Sequence, residues 1–218
     1  MNPSDLSSFL RDLTVLAPGF LLAITVHEYA HGYIAYRLGD PTAKLAGRLS
    51  FNPLSHLDLF GTIALILARI GWAKPVPVDP RNLRNPKQDM LWISLGGPAA
   101  NMAAAIALAM VVHLLVAMFY GRPIGELGVF ILRPLFPILI AAIQMNVMLA
   151  LFNLIPVPPL DGFAVLQGLL PIRHAYALEQ LQPYGVFILL LLLLTGAVGY
   201  IIFPPLHFIQ GLLLSGLG

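Results

Sequence analysis

Four apolar stretches, at about 13–36, 91–119, 135–155 and 183–203, are each long enough to cross a bilayer as a helix, which takes roughly 20 residues. Inside lipid the backbone must satisfy its own hydrogen bonds, so the stretches predict an all-α membrane protein, a polytopic bundle of about four to five transmembrane helices. Composition agrees. Only 10% of the 218 residues are charged and 58% are hydrophobic, whereas a soluble domain carries about 25% charge. That length suits a single domain, 1–218.

A fifth apolar stretch, 57–72, is shorter and holds Asp58 and Arg69. It suits either a short span or a re-entrant element packed against protein, and the charge placement favours the second. Strand-like pieces at 45–51 and 74–78 predict short β-strands between the first two long helices, with Pro75 and Pro77 confining the second piece to an edge.

Charge placement orients the chain. Segment 37–90 carries Arg37, Lys44, Arg48, Arg69, Lys74, Arg81, Arg84 and Lys87 against Asp40, Asp58, Asp79 and Asp89, while the loop at about 120–134 carries only Arg122 and Arg133. The positive-inside bias puts 37–90 on the cytosolic side and, with four spans, both termini outside the cytosol. A net charge of +2 without a dense Lys/Arg run argues against nucleic acid as a partner. With no Cys, disulfides and thiolate metal ligands are excluded. The N-terminus lacks a basic region and a cleavage site, so the first apolar stretch is expected to be a retained anchor.

The first stretch contains His27-Glu28-Tyr29-Ala30-His31, an H-E-x-x-H motif. On a helix, residues four apart lie one turn above each other, so both imidazoles can face one ion. Glu28 lies about 100° round the helix, where its carboxylate can take a proton from a water activated by that ion. Ionisable groups surrounded by hydrocarbon are costly and point to function.

Catalytic zinc normally takes three protein ligands. No His follows in the next turn, as a metzincin needs, and no Glu occurs between Glu28 and Glu126 for a thermolysin-like site. The third ligand is then an Asp, another His or a distant Glu. Asp161 is the best candidate: it follows Asn153-Leu154-Ile155-Pro156-Val157-Pro158-Pro159-Leu160, where prolines break a helix at membrane depth beside a flexible Gly162. The same residues also suit an ordinary turn at a helix end.

With Gly47-Arg48-Leu49-Ser50-Phe51-Asn52-Pro53, Gly71-Trp72-Ala73-Lys74-Pro75-Val76-Pro77-Val78 and Leu95-Gly96-Gly97-Pro98-Ala99-Ala100-Asn101, these motifs resemble, in order over roughly 20–165, the site-2 protease family of intramembrane zinc metalloproteases. The likeness is to compact bacterial and archaeal members without PDZ or other regulatory domains. It implies one Zn2+ per chain held by His27, His31 and Asp161, with Glu28 as general base and acid. It also implies transmembrane protein or peptide substrates, and an active site within the bilayer of the cell membrane towards the cytosolic face. The catalytic core would then be about 13–170 and an accessory C-terminal helix about 178–210. Two features depart from the family: the 120–134 loop is too short for an inserted module, and Gly162-Phe163 stands where many relatives have Gly-Gly.

Asn153 and Asn101 are the candidate substrate-binding residues. The family links the Asn matching Asn153 to substrate handling, and an amide there can bind a carbonyl or its developing oxyanion. Asn101 reads chiefly as polar glue in a small-residue face. His56, beside Asp58, suits a loop hydrogen bond better than a metal role in a closed, inactive state. The competing function is a non-catalytic one, a client-binding pseudoprotease or a metal transporter. Retention of both Glu28 and Asp161 speaks against the first, and ionisable groups gathered at one level speak against the second.

Overall fold

The structure is a computed structural model that describes residues 3–68, 72–119 and 125–216. Arg69, Gly71 and the 120–124 part of the short loop lie outside those residues. The described helices are α1 (Pro3–Leu38), α2 (Thr42–Leu45), α3 (Leu59–Ala68), α4 (Pro86–Phe119), α5 (Glu126–Asn153), α6 (Asp161–Leu169), α7 (Ile172–Glu179), α8 (Gly185–Leu194) and α9 (Ala197–Leu213), with 3-10 turns at Pro53–Ser55, Pro80–Asn82 and Gln182–Tyr184.

Among the described residues four helical stretches are long and apolar enough to cross a membrane: Arg11–Leu38, Pro86–Phe119, Glu126–Asn153 and Ile172–Leu194. Helices α1, α4 and α5 pack on one another and form the centre of the bundle. Lipid offers little drive for helix association, so close backbone approach at small residues matters. At Gly19 of α1 an added Cβ would stand 2.6 Å from the Ala142 Cα of α5, a distance only glycine permits. Farther along, Ala105, Ala109 and Val112 of α4 meet Ile143 and Val147 of α5 and Val198, Ile202 and Leu206 of α9 in one buried cluster.

Three sequence expectations need correction. The stretch 183–203 is not one helix: α8 ends at Leu194, and Gly196, at φ +74°, separates it from α9. A hydropathy window registers no break where the surroundings are apolar apart from Thr195, yet one left-handed residue ends a helix, and glycine adopts that conformation without penalty. The third long helix begins at Glu126, nine residues earlier than expected, and runs through Pro134 and Pro137. Prolines are tolerated in membrane helices where neighbouring groups satisfy the freed carbonyls.

The short β-strands are absent among the described residues. Residues 45–51 begin as the end of α2 and then turn at Gly47, φ +67°. Segment 74–78 has no ladder, since Pro75 and Pro77 offer no N–H. One antiparallel bridge does form, Leu57 to Ala73, and Lys74 N–H donates to the His56 carbonyl at 2.9 Å. Because Leu57 and Ala73 are paired, the chain leaves at Leu57 and is back beside it at Ala73. Gly61 is needed for that return: a Cβ there would lie 2.2 Å from the Trp72 carbonyl oxygen.

Buried polar side chains fix the connection between α1 and α4. Asp40, with no exposed surface, accepts from Thr42 N–H (3.0 Å), Asn82 Nδ2 (2.8 Å), Asp79 N–H (2.8 Å) and the Thr42 hydroxyl. Burial pushes its carboxyl up, but these donors outweigh burial and hold it below the ordinary carboxylate range, so it stays ionised. Buried Arg48 donates to the Lys74 carbonyl, and buried His56 donates from Nε2 to the Ser50 carbonyl at 2.8 Å. Residues 74–79 are thereby fastened at both ends as an extended strap.

Candidate metal centre

α1 presents His27 and His31 one turn apart, and the start of α6 presents Asp161 between them. Asp161 Oδ2 is 3.1 Å from His27 Nε2 and 3.2 Å from His31 Nε2. The three side chains form a group able to hold a metal ion. Their convergence depends on the break after α5. Prolines 156, 158 and 159 stop the helix, and the chain turns through Val157 and Leu160 before α6 begins at Asp161. Gly162 serves closeness here rather than flexibility. A Cβ on it would lie 2.2 Å from the Leu154 carbonyl oxygen, so only glycine lets α6 start so near the end of α5.

The outer nitrogens of both rings are fixed by α4. His31 Nδ1 lies 2.7 Å from the Ile93 carbonyl, which can only accept, so His31 carries its proton on Nδ1. His27 Nδ1 lies 2.6 Å from Asn101 Oδ1. The Asn101 amide is oriented by a chain ending on backbone carbonyls: Asn146 Nδ2 donates to Ala142 O at 2.8 Å, while Asn101 Nδ2 donates to Ala23 O at 2.8 Å and to Asn146 Oδ1 at 3.0 Å. Asn101 Oδ1 is therefore an acceptor, and His27 also carries its proton on Nδ1. In the neutral rings both Nε2 atoms are then lone pairs.

Two lone pairs and a carboxylate oxygen thus face one another. Asp161 Oδ2 is buried without a hydrogen-bond partner among the described residues. Such a grouping repels itself unless a cation lies between, and it fits a divalent ion. A tetrahedral centre with bonds of about 2.0 Å sets neighbouring ligand atoms about 3.3 Å apart, close to the separations seen. The donor set, two neutral imidazoles and one carboxylate, is one that zinc accepts.

Gly97 of α4 lies directly against both rings. A Cβ there would stand 2.5 Å from His31 Nε2 and 2.7 Å from His27 Nε2. Ile93, Gly97 and Asn101 follow one another at intervals of four, so one stripe of α4 holds both imidazoles and leaves room between them. In the sequence this segment reads only as small-residue packing, which leaves the role of Gly97 and of the Ile93 carbonyl unseen. The four-residue spacing was the available signal.

Glu28, partly buried, accepts from Val76 N–H through Oε2 at 2.8 Å. Asn101, read beforehand as glue and as a substrate contact, has no exposed surface and spends its amide within the protein. Asn153, at the last turn of α5, donates to Leu149 of its own helix at 3.0 Å. His56 is buried in the loop, and His113 bonds the Leu213 carbonyl.

Helices long and apolar enough to cross a bilayer, with two imidazoles and a carboxylate converging among them, define a class: a polytopic membrane protein with a candidate metal centre. Comparison with known proteins makes the class specific. A sequence profile of peptidase family M50 matches residues 15–196. A Bacillus subtilis protein named "Putative zinc metalloprotease YwhC" is 38% identical over 189 residues, 86% of this chain and 83% of that one. "Putative zinc metalloprotease Rip2" of Mycolicibacterium smegmatis is 27% identical over 200 residues, 88% of this chain and 71% of its own length. The "Zinc metalloprotease MJ0392" of Methanocaldococcus jannaschii is 24% identical over 155 residues, 71% of this chain and 34% of the relative. No solved structure matches significantly. The chain belongs to peptidase family M50, the site-2 protease family that its motifs resemble.

Proposed function

We propose that this chain hydrolyses peptide bonds in or near transmembrane segments of membrane-protein substrates, using His27, His31 and Asp161 to hold zinc and Glu28 to move the proton. The observation that carries this is the convergence of two imidazole nitrogens, at 3.1 and 3.2 Å, on one carboxylate oxygen in a chain of family M50. Zinc bound there supplies Lewis-acid polarisation of the scissile carbonyl and acidifies water. The chain's own groups do the rest. The α4 stripe fixes the orientation of both imidazoles and directs Nε2 inward. Glu28 takes the proton of the attacking water and returns it to the leaving amine.

The position along α1 supports a site at membrane depth. His31 and His27 lie about two and three turns from the basic connection that begins at Arg37, and the positive-inside bias puts that connection on the cytosolic side. A substrate helix must unwind to expose its carbonyls, and water must enter from that nearer face. The region 197–213 belongs to the same working unit, because Val198, Ile202 and Leu206 fill the core shared with α4 and α5. No observation favours a pseudoprotease or a metal transporter.

The test is cleavage of a single-span substrate by purified protein in liposomes. Removal of zinc by a chelator is expected to stop cleavage, and added zinc to restore it, with the cut mapped within or beside the span. Cleavage that persists after zinc removal contradicts the proposal.

A further inference from the structure

We infer that the 74–79 strap is the positioning element for the general base, acting through the Val76 N–H. This rests on the assignment of Glu28 as that base.

The strap has four backbone N–H groups, and three of them have a destination among the described residues. Lys74 N–H goes to the His56 carbonyl, Val76 N–H to Glu28 Oε2 and Asp79 N–H to Asp40 Oδ2. Pro75 and Pro77 have no N–H to give, so Val76 presents the sole donor between them. Arg48 closes the arrangement at Lys74, and the four-donor Asp40 closes it at Asp79. The middle of the strap therefore cannot drift from α1 without breaking a buried polar contact. It also lies close: a Cβ at Gly32, one turn beyond Glu28, would stand 3.2 Å from Val76 Cγ1.

A carboxylate on a helix turns about its side-chain bonds, and a base that moves one proton twice gains from a fixed direction. Val76 N–H binds one oxygen of Glu28, and Oε1 carries no hydrogen bond among the described residues. The bound oxygen sets the plane and the free one meets the proton. Asp40, Arg48 and His56, which have no place in the metal chemistry, thus serve the site by holding the strap. The Pro-Val-Pro pattern keeps the backbone extended and rations its donors to one.

Val76→Pro removes the N–H and extends an existing Pro-x-Pro run, while Val76→Ala keeps the N–H and removes most of the same side chain. Zinc-replete protein in liposomes is assayed for kcat and KM, with zinc affinity measured by chelator competition. Val76→Pro is expected to lower kcat about ten- to hundredfold, the range for a hydrogen bond to a charged group, with KM and zinc affinity within about threefold of the parent. Val76→Ala is expected to stay near the parent in all three. If Val76→Pro does not fold, replacing Val76 by its α-hydroxy acid deletes the N–H alone and is expected to give the same loss of kcat. Equal kcat for the N–H-deleted and N–H-bearing variants overturns the inference. So does a faster enzyme, which makes the strap an obstruction. Because Glu28→Gln is run alongside, an inactive Glu28→Gln with a fully active Val76→Pro sinks the strap alone, while an active Glu28→Gln sinks the base assignment beneath it.

Discussion

Glu28→Gln is expected to cut hydrolysis by about 10²- to 10⁴-fold while zinc stays bound, the contribution usually made by general acid–base catalysis. Glutamine preserves shape, and its amide oxygen can still accept from Val76 N–H, so the strap keeps its seat. What is lost is the ability to take a proton at neutral pH. The ligand atoms belong to His27, His31 and Asp161, and none contacts a group that the substitution alters. Single-turnover cleavage in liposomes with metal analysis of the same preparation checks both halves. A variant keeping more than about a tenth of the parent rate contradicts the role given to Glu28.

Gly97→Ala is expected to destroy the metal site through one methyl group. The added Cβ would meet His31 Nε2 at 2.5 Å, His27 Cε1 at 2.6 Å and His27 Nε2 at 2.7 Å, all below any real carbon contact. The rings cannot step aside without breaking the bonds to Ile93 and Asn101 that fix them. Helix failure is not an escape, since alanine favours a helix interior over glycine by about 1 kcal/mol. We expect zinc affinity to fall by at least about 100-fold, beyond the 10- to 100-fold typical of losing a partner behind a ligand, and cleavage to fall with it. Gly96→Ala is the internal control. Its Cβ would meet the tip of the Ile34 side chain, which can rotate, so zinc affinity is expected to change little. Equal affinities for the two variants contradict the template role of α4.

Much of the site was legible beforehand because its chemistry is carried by rare residues in fixed spacing. Two His and a Glu within five positions of an apolar helix have few other uses, and the proline-broken segment before Asp161 marks an opened backbone. The partners behind them were harder to see. The Ile93 carbonyl and the Val76 N–H are backbone groups present at almost every residue, so nothing in the letters distinguishes them. Gly97 was visible as a glycine, though its use depends on which helix faces it. In the fold, hydropathy found the long helices yet misplaced their ends. Gly196 breaks a stretch that is apolar around it apart from Thr195, and α5 carries Pro134 and Pro137 inside a helix where proline usually signals a loop. The strand-like pieces failed for another reason. Alternation at 45–51 is overridden by the turn at Gly47, and prolines leave 74–78 extended without a ladder partner.

Zinc stoichiometry on purified wild-type protein and on the single variants His31→Ala and Asp161→Ala tests most directly whether two helices share one ion. One zinc per chain is predicted for the parent, with less than about a tenth of an equivalent in each variant at a zinc concentration that just saturates the parent. Full zinc occupancy in Asp161→Ala would contradict a centre built from both the H-E-x-x-H helix and the broken end of α5.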